Sequence, residues 1–201
     1  MKKAPLILIL FILTTILHGQ EIKISIAPTI NNAFYFKSVD GSAGRDFKPG
    51  ISTSLDFSFL NEKRINIGFG FRYQFMQVEY TPNMNTGEFT GQTDKINIVS
   101  FDISAIYNLK HNFYLSLSPL INLQTKYTSD LMTDKQNGLG LSLSMGKHIN
   151  LKDNIQLNIE PELTINNIVP FNPDNYLTLR MASAGLNIGL VFGKIKTPKT
   201  E

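Results

Sequence analysis

The stretch Ile65-Asn66-Ile67-Gly68-Phe69-Gly70-Phe71-Arg72-Tyr73-Gln74-Phe75 alternates between apolar residues and polar or small ones without a break. A period of two residues is the signature of a β-strand, because successive side chains of a strand point to opposite faces of the sheet. One face of this segment is entirely aliphatic or aromatic, and the other carries amides, glycines and an arginine. The stretch therefore predicts a strand that separates an apolar environment from a polar one.

The same period recurs in seven further segments, so the sequence predicts eight strands. The apolar face of nearly every strand consists of Ile, Leu and Phe, and the opposite face is rich in Ser, Gly and Asn. In the last strand, however, the parity before Ala182 is opposite to the parity after Gly185. A β-bulge within 182–185 is predicted there, because one extra residue would restore the alternation.

An internal repeat aligns Leu109–Pro119 with Leu151–Pro161. Self-similarity of this kind indicates repeated supersecondary units, here β-hairpins. Pro119 and Pro161 occupy equivalent positions of the repeat. Local irregularity is predicted at both, because proline cannot donate a hydrogen bond to a β-ladder.

The connectors between the predicted strands alternate between long and tight. This alternation is typical of a membrane β-barrel, whose hairpins turn alternately at two different surfaces. A soluble β-sandwich is the competing prediction, but the even strand count, which allows closure without an unpaired edge, favours the barrel. The predicted fold is therefore all-β, an eight-stranded antiparallel up-and-down transmembrane β-barrel. The long connectors are Ser38–Pro49, Thr81–Asp94, Lys126–Asn137 and Asn166–Tyr176; the tight ones are Asn61–Arg64, Leu109–His111 and Asn150–Asp153.

The N-terminal segment has the pattern of a secretory signal. Lys2 and Lys3 precede the apolar run Ala4–Leu17, and the small residue Gly19 follows it. The run is shorter than the ~20 apolar residues that a spanning helix needs, although a retained anchor helix is the alternative. The predicted organisation is a cleaved signal peptide at 1–19, an outer-membrane barrel at 20–193 and a short basic periplasmic tail at 194–201.

Composition excludes several functional classes. The 19 basic residues outnumber the 16 acidic ones by three, and two of the basic residues belong to the signal, so the near-neutral remainder does not predict a nucleic-acid partner. The chain has no Cys, which excludes disulfides and thiolate chemistry. His111 and His148 are the only histidines after the signal, and they lie far apart beside tight turns, so a zinc site lacks its ligands. The acidic residues do not have the spacing of a calcium-binding loop. No cofactor or metal site is predicted.

The last strand ends in Leu186-Asn187-Ile188-Gly189-Leu190-Val191-Phe192, after eight strands and turns such as Asn61–Arg64 and Leu151–Asn154. With the signal segment, this pattern resembles the outer-membrane β-barrel domain family that includes PorT-like proteins, and more loosely OmpX/OmpA-type barrels. The resemblance covers nearly all of the chain after the signal, and the tail after Phe192 departs from it. It implies periplasmic termini, outer-membrane lipids and the barrel assembly machinery as partners, and, for PorT-like proteins, an accessory role in secretion or envelope assembly.

Charged residues fall on the polar faces of several predicted strands. The interior of an eight-stranded barrel is just wide enough to be filled by side chains, and charges removed from water must be paired. A structural ion-pair network is therefore predicted in the lumen, whereas general acid–base catalysis would need a cleft for substrate. No catalytic residue is predicted, because both histidines lie at the wrong end for a His–Ser–acid site at the outer rim. The predicted network comprises Asp56, Arg72, Asp102, Glu160, Glu162 and Arg180.

Three functions fit a barrel of this kind. The first is a structural or surface-interaction role, with Ser38–Pro49 and Thr81–Asp94 as the expected contact surface, because loops on a rigid scaffold commonly mediate recognition. The second is the accessory role, in which the periplasmic turns and the tail lysines Lys194, Lys196 and Lys199 would contact a periplasmic protein. The third is a narrow pore, which the charged lumen and the small strand number disfavour.

Overall fold

A closed barrel accounts for the described part of the chain. In the computed structural model, eight antiparallel strands each pair with their neighbours in sequence, and the first strand pairs with the last. The predicted eight-stranded antiparallel barrel is therefore confirmed. The structure describes residues 20–34, 45–59, 64–80, 93–126, 135–171 and 180–193. The strands are β1 (Gln20–Phe34), β2 (Arg45–Phe59), β3 (Ile65–Tyr80), β4 (Thr93–Asn108), β5 (Phe113–Lys126), β6 (Gly138–Lys152), β7 (Ile155–Pro170) and β8 (Arg180–Phe192).

The connectors divide the barrel into two different ends. Tight connections join β2 to β3, β4 to β5 and β6 to β7, the second of them through a 3₁₀ turn at Lys110–Asn112. We call this the short-turn end. The other four connections span 35–44, 81–92, 127–137 and 171–179, and define the long-connector end. The predicted alternation of connector length is confirmed.

Several predicted segments lie outside the described residues. These are the signal segment 1–19, the tail 194–201 and most of the two loops assigned to surface contact. Within the part of the chain that the structure describes, no helix combines the length and the apolarity needed to cross a membrane.

The strands extend further toward the long-connector end than the apolar pattern predicts. Arg45–Pro49, Thr93–Asp94 and Asn166–Pro170 belong to β2, β4 and β7, although the pattern places them in connectors. Ladder hydrogen bonds join main-chain groups, so pairing continues where the side chains become polar. The predicted bounds of these connectors are therefore wrong.

The barrel is apolar outside and polar inside. On β3, the outward side chains of Ile65 and Ile67 are 59% and 57% exposed, whereas the inward Asn66 and Gln74 are buried. The same alternation runs along β5, where Leu115 and Leu117 are exposed and Ser116 and Ser118 are buried. This distribution is the inverse of that in a water-soluble domain, whose core is predominantly apolar.

The predicted bulge at 182–185 is absent. β8 keeps a single register with both β1 and β7 through this segment, and Met181 points inward like Ser183 and Asn187. The predicted bulge requires every apolar residue to face outward. Met181 instead packs inward against Met76, Ile96 and Ile98, so no extra residue is needed.

The two equivalent prolines of the internal repeat each interrupt pairing on one side only. Pro119 pairs with Leu141 on β6, and Pro161 pairs with Leu186 on β8. On their other sides, the β4–β5 and β6–β7 ladders skip the pairs at the prolines and resume in the same register. The predicted irregularity is therefore confirmed as a gap in the ladder, without a shift of register.

Candidate functional site in the barrel lumen

The lumen contains a small apolar cluster near the long-connector end and a group of charged side chains toward the short-turn end. Met76, Ile96, Ile98 and Met181 are buried and form one cluster near the long-connector end, against which Phe47 packs. We call the cluster of Met76, Ile96, Ile98 and Met181 the lumen seal. The half of the lumen toward the short-turn end contains polar and charged side chains and a cavity of about 60 Å³. This volume has room for only a few water molecules.

Lys23 is the centre of one ion-pair group in the polar half. Its Nζ lies 2.7 Å from Glu160 Oε2 and 3.2 Å from Asp56 Oδ2. Ser144 and Asn158 also donate hydrogen bonds to Glu160. The predicted network omits Lys23. Its position on the polar face of the first strand, between Ile22 and Ile24, is the sequence signal that identifies it as inward.

Arg72 forms the second ion-pair group, with Glu162. Its Nη1 also contacts Thr164 Oγ1 at 3.1 Å. Glu162 accepts further hydrogen bonds from Ser142 and Asn187. Arg72 comes from β3 and Glu162 from β7, so this pair crosses the lumen and joins two walls that are not adjacent in the sheet.

The other two residues of the predicted network occupy different surroundings. Asp102 Oδ1 accepts a hydrogen bond from Ser104 Oγ at 3.1 Å, and no ion pair to Asp102 is formed among the described residues. Arg180 begins β8 at the long-connector end, where its Nε donates to the carbonyl oxygen of Ile168 at 3.4 Å. The structure therefore gathers Asp56, Arg72, Asp102, Glu160 and Glu162 around one cavity and places Arg180 away from it.

His148 and Tyr114 also line the cavity. Their rings stack with centroids 4.7 Å apart, and Tyr114 Oη donates to Asn158 Oδ1 at 2.9 Å. The tyrosine ring lies over Gly146, where a Cβ would collide with it. Although the sequence places His148 beside a tight turn, its side chain points into the lumen. His111, in contrast, is exposed in the tight turn, with a positive φ of 60°.

Comparison with known proteins supports the fold. No family model matches the sequence, and no curated protein matches it. The outer membrane protein OprG from Pseudomonas aeruginosa is similar in structure, with a TM-score of 0.52 and 12% identity over 87% of this chain and 95% of that one. The outer membrane protein AlkL, solved in lipid bilayers, gives a TM-score of 0.52 and 11% identity over 92% of this chain and 95% of that one. These similarities support the looser resemblance, to small outer-membrane barrels, and do not show the PorT-like one.

Proposed function

We propose that this chain is an integral outer-membrane protein whose barrel spans the membrane as a closed scaffold. The observation that supports this most strongly is the exposed apolar surface. Ile103 and Leu163 are 65% and 60% exposed, while Asn122 and Asn158 in the lumen are completely buried. An apolar exterior is unfavourable in water, at about 25 cal/mol per Å², and is what a bilayer requires of a barrel.

The differing connectors supply an orientation for the proposal. Outer-membrane barrels have short periplasmic turns and longer extracellular loops. The short-turn end, where β1 begins and β8 ends, then faces the periplasm, and the chain termini are periplasmic in this proposal. Residues 1–19 serve as the cleaved signal for export, and the long connectors, with Ser38–Pro49 and Thr81–Asp94, form the contact surface outside the cell.

Within this proposal, the lumen charges have a structural role. Lys23 and Arg72 each link strands through carboxylates of β7, and the lumen seal packs apolar side chains inside the barrel nearer the long-connector end. Side chains fill an eight-stranded barrel, so the arrangement disfavours a continuous pore. The barrel acts as a rigid support for its loops.

Refolding in detergent tests the proposed location. The chain from Gln20 onward should refold in detergent micelles, give a β-type circular dichroism spectrum and migrate differently on a gel before and after boiling. The physical reason is that the paired barrel resists detergent until heat opens its closed ladder. A chain that is monomeric and folded without detergent, with no change of mobility, would contradict membrane insertion.

The basic short-turn end favours a second candidate, the accessory role in secretion or envelope assembly. Arg64, Lys110 and Lys152 are exposed there, and Lys194, Lys196 and Lys199 follow in sequence. In this alternative, the basic residues attract an acidic periplasmic protein, with an attraction that salt screens.

Substitution of the three tail lysines by Gln tests the alternative. We expect the variant to recover less periplasmic protein than the unmodified barrel in chemical cross-linking from intact cells, with the difference lost at high salt. Replacing Lys48, Lys95 and Lys135 toward the other end by Gln is the matched control. Equal recovery by both variants and the unmodified chain would rule out an electrostatic tail contact.

A further inference from the structure

Two carboxylates meet above a glycine in the polar half of the lumen. Asp56, Gly70 and Asp102 lie side by side on β2, β3 and β4. A Cβ on Gly70 would fall within 3.0 Å of Asp56 Oδ1 and of both carboxylate oxygens of Asp102. Both carboxylates therefore occupy the space that a larger side chain would fill. The same distances place Asp56 Oδ1 and Asp102 Oδ2 at most about 5 Å apart.

One of these oxygens is buried without a partner. Asp102 is only 5% exposed, and its Oδ2 accepts no hydrogen bond from the described residues. The nearby cations are engaged elsewhere, Lys23 with Asp56 Oδ2 and Glu160, and Arg72 with Glu162. A buried carboxylate oxygen without a partner is unfavourable, and such an atom indicates a bound water or ion.

The charges around the cavity do not balance. Lys23 and Arg72 are the two cationic side chains among the described residues that line it, and they face four lumen carboxylates, while Glu21 adds a further carboxylate at the rim. Pairing leaves two negative charges in a confined volume, where their repulsion is poorly screened. A single divalent cation would restore neutrality.

We propose that the lumen binds one divalent cation of the calcium class between Asp56 and Asp102, above Gly70. Calcium takes carboxylate oxygens at about 2.3–2.6 Å, so two ligands on opposite sides of the ion stand about 5 Å apart, as these oxygens can. No third His, Cys, Asp or Glu converges on the same point among the described residues. Water therefore completes the coordination, and ions enter from the short-turn end, past Glu21 and Asn108 at the rim of the cavity.

Calorimetric titration of the refolded chain with calcium tests the proposal. After treatment with a chelator, the protein should bind one Ca²⁺ per barrel, and its thermal unfolding should shift to higher temperature in calcium, because a ligand that binds only the folded state stabilises it. Asp102→Asn should weaken binding by at least about tenfold. The same variant should unfold at an unchanged or higher temperature in chelator, since it removes an uncompensated charge.

Gly70→Ala is the second variant that should weaken calcium binding. Its methyl group occupies the space between the two carboxylates but leaves their charges in place. Asp153→Asn, in the exposed turn between β6 and β7, is the matched control and should bind as the unmodified chain does. Absence of calcium binding by the unmodified chain would overturn the proposal, as would equal binding by Asp102→Asn. A barrel whose stability responds to pH but not to calcium would show that a shared proton, rather than a metal, neutralises the pair. A soluble barrel that bound calcium would contradict the membrane location and leave the site intact.

Discussion

Replacement of Arg72 by Met is expected to lower the free energy of unfolding of the detergent-refolded barrel by about 3–5 kcal/mol. The side chains of Arg72 and Glu162 are only 11% and 8% exposed. Without the guanidinium, only serine and amide donors would stabilise the buried charge of Glu162. The excess of negative over positive charge in the lumen would also increase by one. The measurement is the urea concentration at which the unboiled gel band loses its altered mobility.

Two further variants separate the ion pair from a general loss of packing. Arg72→Met combined with Glu162→Gln should recover much of the lost stability, because Glu162 then no longer leaves a buried charge without its partner. Lys48→Met is the surface control, since its pairs with Asp46 and Glu79 lie in solvent and exposed ion pairs contribute little. If Arg72→Met changed stability no more than Lys48→Met, the lumen pairs would not be structural.

An arginine in place of Ile103 should destabilise the barrel in lipid vesicles by about 2–4 kcal/mol. Ile103 is 65% exposed, in the middle of the outward face of β4, so the new charge would sit near the centre of the bilayer. Refolding yield in vesicles, followed as a function of urea, measures the loss.

The matched control is Leu109→Arg, in the tight turn beyond the end of β4. A charge at the membrane surface costs only about 0–1 kcal/mol, so this variant should refold almost normally. Equal tolerance of arginine at both positions would contradict the membrane-spanning orientation, because both residues would then be in contact with water.

Strand positions follow from the sequence because backbone geometry imposes the two-residue period wherever the environments on the two sides of the wall differ. The alternation along Ile65–Phe75 survives intact as outward and inward faces of β3. The same rule identifies Asp56, Arg72, Asp102, Glu160 and Glu162 as inward, and all five line one cavity.

The failures share one physical cause, the assumption that polarity alone assigns a residue to a face or an end. Met181 is apolar and inward, because the lumen seal is apolar at its level. Arg180 is predicted inward only because the predicted bulge reverses the parity before Ala182; without the bulge, Arg180 takes the face opposite to that of Met181, at the long-connector end. His148 lies beside a tight turn in the sequence, which does not reveal that its ring stacks on Tyr114 inside the barrel. Which side chains contact one another depends on the register between neighbouring strands, and the sequence pattern of one strand does not specify that register.

The pairing of β1 with β8, which closes the barrel and is here called the seam, affects the order in which the barrel assembles. Every other pair of neighbouring strands is joined by a connector of modest length, so those hairpins can form locally and fast. The seam instead joins Ile22 to Phe192 and must wait until nearly the whole chain is arranged, since contacts distant in sequence carry the largest loop-closure entropy. Lys23 and Glu160, 137 residues apart, stand on opposite sides of that seam. We therefore expect this contact to form late in folding, and until the seam closes, β1 and β8 present unpaired edges that favour aggregation.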